Sequence, residues 1–191
     1  LDVNERLFNR VLSAREIQII TPRSSEDIDV ASLSTLTNPV AVILKQRSET
    51  IGVAESSTGG LISASLLAVP GASAYFLGGT VIYTNRARNK LLGIEKNLLA
   101  QQKPMTEAYV TLCAQTIRKQ LNATWGLAEL GATGPAATPY GHDPGLCVLA
   151  VVGPLTMVRR LETNSDDREA NMRIFMEGAF DLLNEALQQS Q

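Results

Sequence analysis

Cysteine, histidine and aromatic residues are scarce in this chain. Cys113 and Cys147 are the only two cysteines in 191 residues, too few for a disulfide framework, and a reducing, cytoplasmic setting fits them. His142 is the single histidine, and no cluster has metal-ligand spacing, so neither zinc chemistry nor a cofactor is expected. No run approaches the roughly 18 apolar residues of a membrane span. Neither sign of charge dominates: 17 Lys and Arg against 19 Asp and Glu leave a net charge of -2. Such a balance gives neither nucleic acid nor an anionic membrane an electrostatic reason to bind. Nothing reads as a signal peptide, while a removed targeting segment stays open.

What is present is an ordinary globular mixture, 45% hydrophobic and 19% charged, long enough to bury one sizeable core. Residues 1–36 read as an arm outside that core, a short helix carrying Leu7, Val11 and Ala14 followed by the polar stretch "TPRSSEDIDVASLST". The core is expected over 37–191. Thr37 and Asn38 before Pro39 look like a cap and first helical position, opening a helix through "VAVILKQR". "TIGVAE" reads as a buried strand, and Gly59 and Gly60 start a helix through "LISASLLAV" that Pro70 and Gly71 stop.

"AYFLGGTVIYT" is strand-like, its glycine pair suggesting a bulge, and "NRARNKLLG" is a brief helix ended by Gly93. Thr106 caps a longer helix with Ala108, Leu112, Ile117 and Leu121 among its packing positions. "TWGLAELGAT" and "LCVLAVVG" are strands joined by the loop "GPAATPYGHDPG", and "TMVRRLET" is an edge strand. A long helix from Asp166 carries the stripe Met172, Phe175, Ala179, Leu183 and Ala186. Helices alternating with short apolar strands indicate an α/β layered domain.

Two stretches invite chemistry. "VAESSTGG" places Ser56, Ser57, Thr58, Gly59 and Gly60 where a strand gives way to a helix, so bare amides there suit a phosphate or an oxyanion. A plain cap explains the same octet. "GATGPAATPYGHDPG" follows a strand, where α/β sheets present ligand loops, but it is equally an ordinary connection rich in turn formers. Arg159, Arg160, Arg168 and Arg173 are candidate phosphate contacts or simple surface ion-pair partners.

Taken together, the pieces resemble the CinA C-terminal family. "AESSTGG" is similar to that family's A-E-S-C-T-G-G, "PGASAYFLGG" to P-G-S-S-x-x-F-x-G-G, and "YTNRARNKLLGI" to Y-S-N-x-x-K-x-x-L-L-G-V. "PMTEAYVTLC" fits its A-V-S-E helix start, and "GATGP" with "DPGLCVLAV" resembles G-I-A-G-P and the strand beyond. "DDREANMR" resembles D-R-x-x-x-R with one residue more, and the likeness runs over about residues 37–190. The resemblance implies a compact three-layer α/β/α domain with a mixed central sheet, commonly a homodimer. It also implies a metal-independent amidohydrolase that converts nicotinamide mononucleotide, a pyridine nucleotide, to nicotinate mononucleotide and ammonia.

On that likeness Ser56 is the nucleophile. Thr58, Gly59 and Gly60 supply contacts and amides for the oxyanion. Tyr83, Asn85, Thr106, Gly131, Gly134, Arg168 and Arg173 fall on motif positions that position the substrate. The family's base lysine is Arg88 here, and Leu130 stands where a hydroxyl residue often precedes G-I-A-G-P. A guanidinium keeps its proton, so Arg88 orients Ser56 or stabilises negative charge but does not deprotonate it. Two functions follow: an amidase whose base is rearranged to His142, Tyr83 or a water held by Arg88, or a nucleotide-binding or scaffolding homologue that has lost hydrolysis.

Overall fold

A computed structural model describes residues 33–101 and 103–190, so the arm helix expected around Leu7 lies outside the described residues. The elements run α1 (Leu33–Gln46), β1 (Ile51–Glu55), α2 (Leu61–Leu67), a 3-10 turn (Ala72–Ala74), β2 (Phe76–Val81), α3 (Asn85–Leu91), α4 (Lys96–Gln101) and α5 (Glu107–Gln120). They continue with β3 (Trp125–Gly131), β4 (Leu146–Val152), β5 (Thr156–Glu162) and α6 (Arg168–Gln189). Among the described residues no helix is long and apolar enough to cross a membrane.

The strands form one mixed sheet in the order β2-β1-β3-β4-β5. β1 is parallel to both β2 and β3, whereas β3–β4 and β4–β5 are antiparallel. Strand alternation assigns the two faces. Ile51, Val53, Trp125, Leu127, Cys147, Leu149 and Val151 pack with α1, α2 and α6. The intervening Ala54, Ala128, Leu130, Val148, Ala150 and Val152 pack with α5. The result is the three-layer α/β/α sandwich expected of strands buried on both sides. The central strands β1, β3 and β4 are almost wholly buried, while the edge strands β2 and β5 alternate or stay half-exposed.

Glycine sets the spacing of the α5 layer. A methyl added at Gly126 would overlap the Ala114 carbonyl, and one at Gly52 would lie 2.9 Å from Leu121. Bare backbone at both strands therefore lets α5 lie close on the sheet. In β2 the register passes from Ile51–Phe76 to Gly52–Gly78, leaving Leu77 unopposed at the bulge that the glycine pair suggests.

One helix boundary is corrected. The first helix begins at Leu33 rather than at Thr37, so Pro39 lies inside it and residues 33–36 belong to the helix and not to the arm. Thr37 Oγ1 donates to the Leu33 carbonyl at 3.0 Å, a bond typical of a threonine within a helix rather than at its cap. Thr37, Val40, Ala41 and Leu44 are buried at helical spacing, while the Pro39 ring faces solvent. Burial of that stripe outweighs the backbone bond that proline forfeits. Thr106 caps its helix where the sequence places it, and the structure adds caps at Thr84 and Asp167; each of the three accepts an amide of the following turn.

Candidate functional site

β1 ends at Glu55, and the chain then turns through Ser56–Gly60 into α2. Glu55 folds back beneath that turn. Its Oε2 accepts from the Gly60 and Ile62 amides at 2.9 and 3.1 Å, and its Oε1 from the Ser63 amide and hydroxyl at 3.1 and 2.5 Å. Glu129, one step beyond the Ala54–Ala128 pairing on β3, accepts from the Ser56 and Thr58 amides at 2.9 and 3.0 Å and from Ser57 Oγ at 2.5 Å. Both carboxyl groups are fully buried, which is tolerable only because they are so densely bonded.

Burial pushes the Glu129 carboxyl above its ordinary pKa, opposed in turn by its bonds from Ser57, Thr58 and Ser56. Cys147 Sγ lies 4.0 Å from Glu129 Oε1, and its thiol is raised by burial first and by that carboxyl second.

The carboxyl groups consume the amides that the sequence assigns to an oxyanion. Thr58 and Gly60 donate to Glu129 and Glu55, and the Gly59 amide donates to the Ser56 carbonyl at 3.3 Å. Thr58, Gly59 and Gly60 therefore hold the turn in shape and do not line the cavity beside it. Among the described residues, two donors of the turn make no hydrogen bond within the protein: the Ser56 hydroxyl and the Ser57 amide. A hydroxyl whose following residue offers a free amide is the pairing that a nucleophile elbow uses.

Ser56 is only 4% exposed, yet it lines a cavity of about 280 Å³. Tyr83, Asn85 and Arg88 line the same cavity, as do Leu130 and Gly131 at the end of β3 and Tyr140 of the following loop. Gly131 is required there, because a methyl would overlap Ser57 Oγ and approach the Phe175 ring to 2.7 Å.

Arg88 is 5% exposed and has no carboxylate partner among the described residues. Its Nε donates to the Ile82 carbonyl at 3.1 Å, and Nη1 to Asn85 Oδ1 at 2.8 Å and to Tyr109 Oη at 3.3 Å. Nη2 reaches the Tyr83 carbonyl at the long distance of 3.5 Å, and the guanidinium lies 5.4 Å from the centre of the Tyr109 ring. No hydrogen bond joins it to Ser56.

The remaining sequence candidates scatter around this centre. Thr106 caps α5, accepting from the Tyr109 amide at 3.4 Å and donating to the Lys103 carbonyl at 2.9 Å. Arg168 is exposed, donating to the Gly134 carbonyl at 2.6 Å and reaching Tyr83 Oη at 3.5 Å. It thereby links the loop after β3 to α6 without lining the cavity. Gly134 is buried at positive φ, 2.6 Å from the Asp166 carbonyl for any added methyl. Arg173 is an exposed residue of α6 outside the cavity, Arg159 pairs with Glu185, and Arg160 pairs with Glu162. His142 lines a separate recess with Asp143, Arg160 and Glu162, so it is not beside Ser56. Lys90 is exposed and does not line the cavity either.

Sequence reasoning missed Glu129, Tyr109 and Asn171. Asn171 Nδ2 donates to the Thr133 and Ser165 carbonyls at 3.0 and 2.7 Å, tying the loop after β3 to the start of α6. Glu129 left one usable signal: a lone carboxylate in the apolar run "GLAELG" is costly to bury unless something bonds it.

Residues 33–187 match the CinA C-terminal domain. The chain belongs to that family. A CinA-like protein of Prochlorococcus marinus (strain MIT 9313) is 42% identical over 120 residues, covering 63% of this chain and 28% of that protein. A CinA-like protein of Cyanothece sp. (strain PCC 7425 / ATCC 29141) is 32% identical over 158 residues, covering 81% and 38%. The chain thus spans well under half the length of these CinA-like relatives. The crystal structure of the competence damage-inducible protein A (ComA) from Klebsiella pneumoniae subsp. pneumoniae MGH 78578 superposes with a TM-score of 0.78 at 27% identity, covering 84% of this chain and 99% of that one. A CinA superfamily protein from Klebsiella pneumoniae 700603 gives 0.77 at 26% identity, covering 82% and 98%. The mixed five-stranded sheet with its flanking helices is thus the CinA superfamily fold.

Proposed function

We propose that this CinA-family domain holds a pyridine mononucleotide in the Ser56 cavity and hydrolyses its carboxamide slowly or not at all. The observation that carries this reading is Arg88: it takes the place of the family's base lysine, lines the cavity, and gives its hydrogen bonds to neutral groups rather than to Ser56. Among the described residues, the other titratable side chains of the cavity are the phenols of Tyr83 and Tyr140, and no imidazole, carboxylate or lysine lines it. A serine hydroxyl attacking an amide must lose its proton, and a missing general base costs on the order of a hundredfold to ten-thousandfold in rate. The unpartnered Ser56 hydroxyl and Ser57 amide support retention of the geometry for holding the amide.

Calorimetry with nicotinamide mononucleotide, paired with ammonia release by the parent, Ser56→Ala and Arg88→Lys, tests this. Binding with little turnover in the parent, and turnover at least tenfold higher in Arg88→Lys, is the expected result. Brisk turnover in the parent that Ser56→Ala abolishes would replace it with an active amidase whose base is Tyr83 or a bound water. An absence of nucleotide binding would reject the substrate class.

A further inference from the structure

The cavity carries one formal charge, and that charge is uncompensated. Among the described residues, Arg88 is the only Lys, Arg or His lining it, and no Asp or Glu does. Nor does any carboxylate bond the guanidinium from behind: Ile82 and Tyr83 offer carbonyl oxygens, Asn85 an amide oxygen, and Tyr109 a phenol and a ring face. Desolvating a cation without an anion is costly, and neutral acceptors offset only part of that cost. Of five guanidinium N–H groups, Nε and the two on Nη1 have partners within 3.3 Å. Nη2 has only the 3.5 Å contact to Tyr83, which leaves its hydrogens open to a stronger acceptor.

We propose that Arg88 makes the Ser56 cavity select a carboxylate ligand over the matching carboxamide, so that the domain retains the acid form of its pyridine nucleotide. This rests on the pyridine-nucleotide reading above and reverses the preference that an amidase for that nucleotide needs. The physical reason is the asymmetry between the two head groups. A carboxylate supplies the missing negative charge and accepts charge-assisted hydrogen bonds from Nη2. A neutral carboxamide has one carbonyl acceptor, and its NH₂ faces a cation with no acceptor to offer. Arg88 itself is buried, and Leu130 and Met105 beside it in the lining are buried too, so the difference is felt at the guanidinium end of the cavity. A lysine at position 88 that gives up its charge would abolish this preference, whereas arginine never does.

Parallel titrations with nicotinate mononucleotide and nicotinamide mononucleotide decide the matter. The parent is expected to bind the acid about tenfold more tightly or better, a margin of about 1.4 kcal/mol. Arg88→Gln is expected to bring the two affinities within about twofold by weakening the acid alone. Equal affinities in the parent, or tighter binding of the amide, overturn the selection while leaving the nucleotide reading intact. Equal weakening of both nucleotides by Arg88→Gln would assign the guanidinium to the phosphate they share and overturn it as well. If neither nucleotide binds, both proposals fall. A thermal melt of Arg88→Gln checks folding, and the acid-to-amide ratio in the parent stands even if that variant unfolds.

Discussion

Glu55 and Glu129, from neighbouring strands, converge on the single hydroxyl of Thr58, whose Oγ1 lies 2.8 Å from one carboxyl and 2.9 Å from the other. A hydroxyl has one proton to donate, so it satisfies one carboxylate at a time. The second contact is completed when a carboxyl keeps its own proton, and burial favours that state at Glu129. The Ser56 turn is thus built around two buried carboxyl groups that take up most of its amide and hydroxyl donors.

Removing Glu129 should therefore collapse the turn. Glu129→Ala strips the acceptor from two buried amides and from Ser57 Oγ. At about 1–3 kcal/mol for each orphaned buried group, the loss should reach about 3 kcal/mol or more. Glu129→Gln keeps one acceptor and should cost less than half as much. Urea unfolding of the two variants measures this, and equal small losses would show that the turn does not depend on the carboxyl.

The same group makes stability depend on pH. Its folded-state pKa is raised above the ordinary value near 4.5, so the folded protein holds a proton that the unfolded chain releases. That contribution is complete below the unfolded value and is lost as pH rises through the folded one. As pH rises above the unfolded value toward the folded one, the parent should lose stability relative to Glu129→Gln, with a slope of at most about 1.4 kcal/mol per pH unit. Parallel stability curves would reject the assignment.

Two glycines separate steric demand from backbone strain. Gly126→Ala drives a methyl into the Ala114 carbonyl and to 2.7 Å from Arg118 Cβ, forcing α5 off the sheet. The expected cost is about 3 kcal/mol. Gly141 has φ +83 with nothing within 4 Å, so alanine there pays only the left-handed backbone penalty of about 1 kcal/mol. Chemical denaturation of both variants should rank them in that order.

Both cysteines should be chemically silent in the folded protein. Burial pushes the Cys113 thiol up to about 12, partly offset by Arg88, and raises Cys147 well above its usual range. Neither has solvent-exposed surface. A thiol reagent near pH 8 should label neither in the native state and both in denaturant. Rapid native labelling at either position would show that the α5 or α6 layer opens readily.

Local chemistry carried most of the fold. The cap at Thr106, the strand runs beginning at Ile51, Trp125 and Leu146, and the bulge beside Gly78 each depend on residues within a few positions, so periodicity and turn chemistry disclose them. The grouping of Ser56, Tyr83, Asn85, Arg88 and Gly131 at one cavity was also legible, through ordered motifs.

Tertiary structure alone decided the rest. Pro39 looked like a helix start until burial of Thr37, Val40, Ala41 and Leu44 extended the helix past it. Glu129 serves a turn 71 residues away, and Tyr109 reaches Arg88 across 21, so no local window links them. Whether an amide is free, a cation is paired or a carboxyl is protonated depends on which distant atoms fold against it, and packing supplies those atoms.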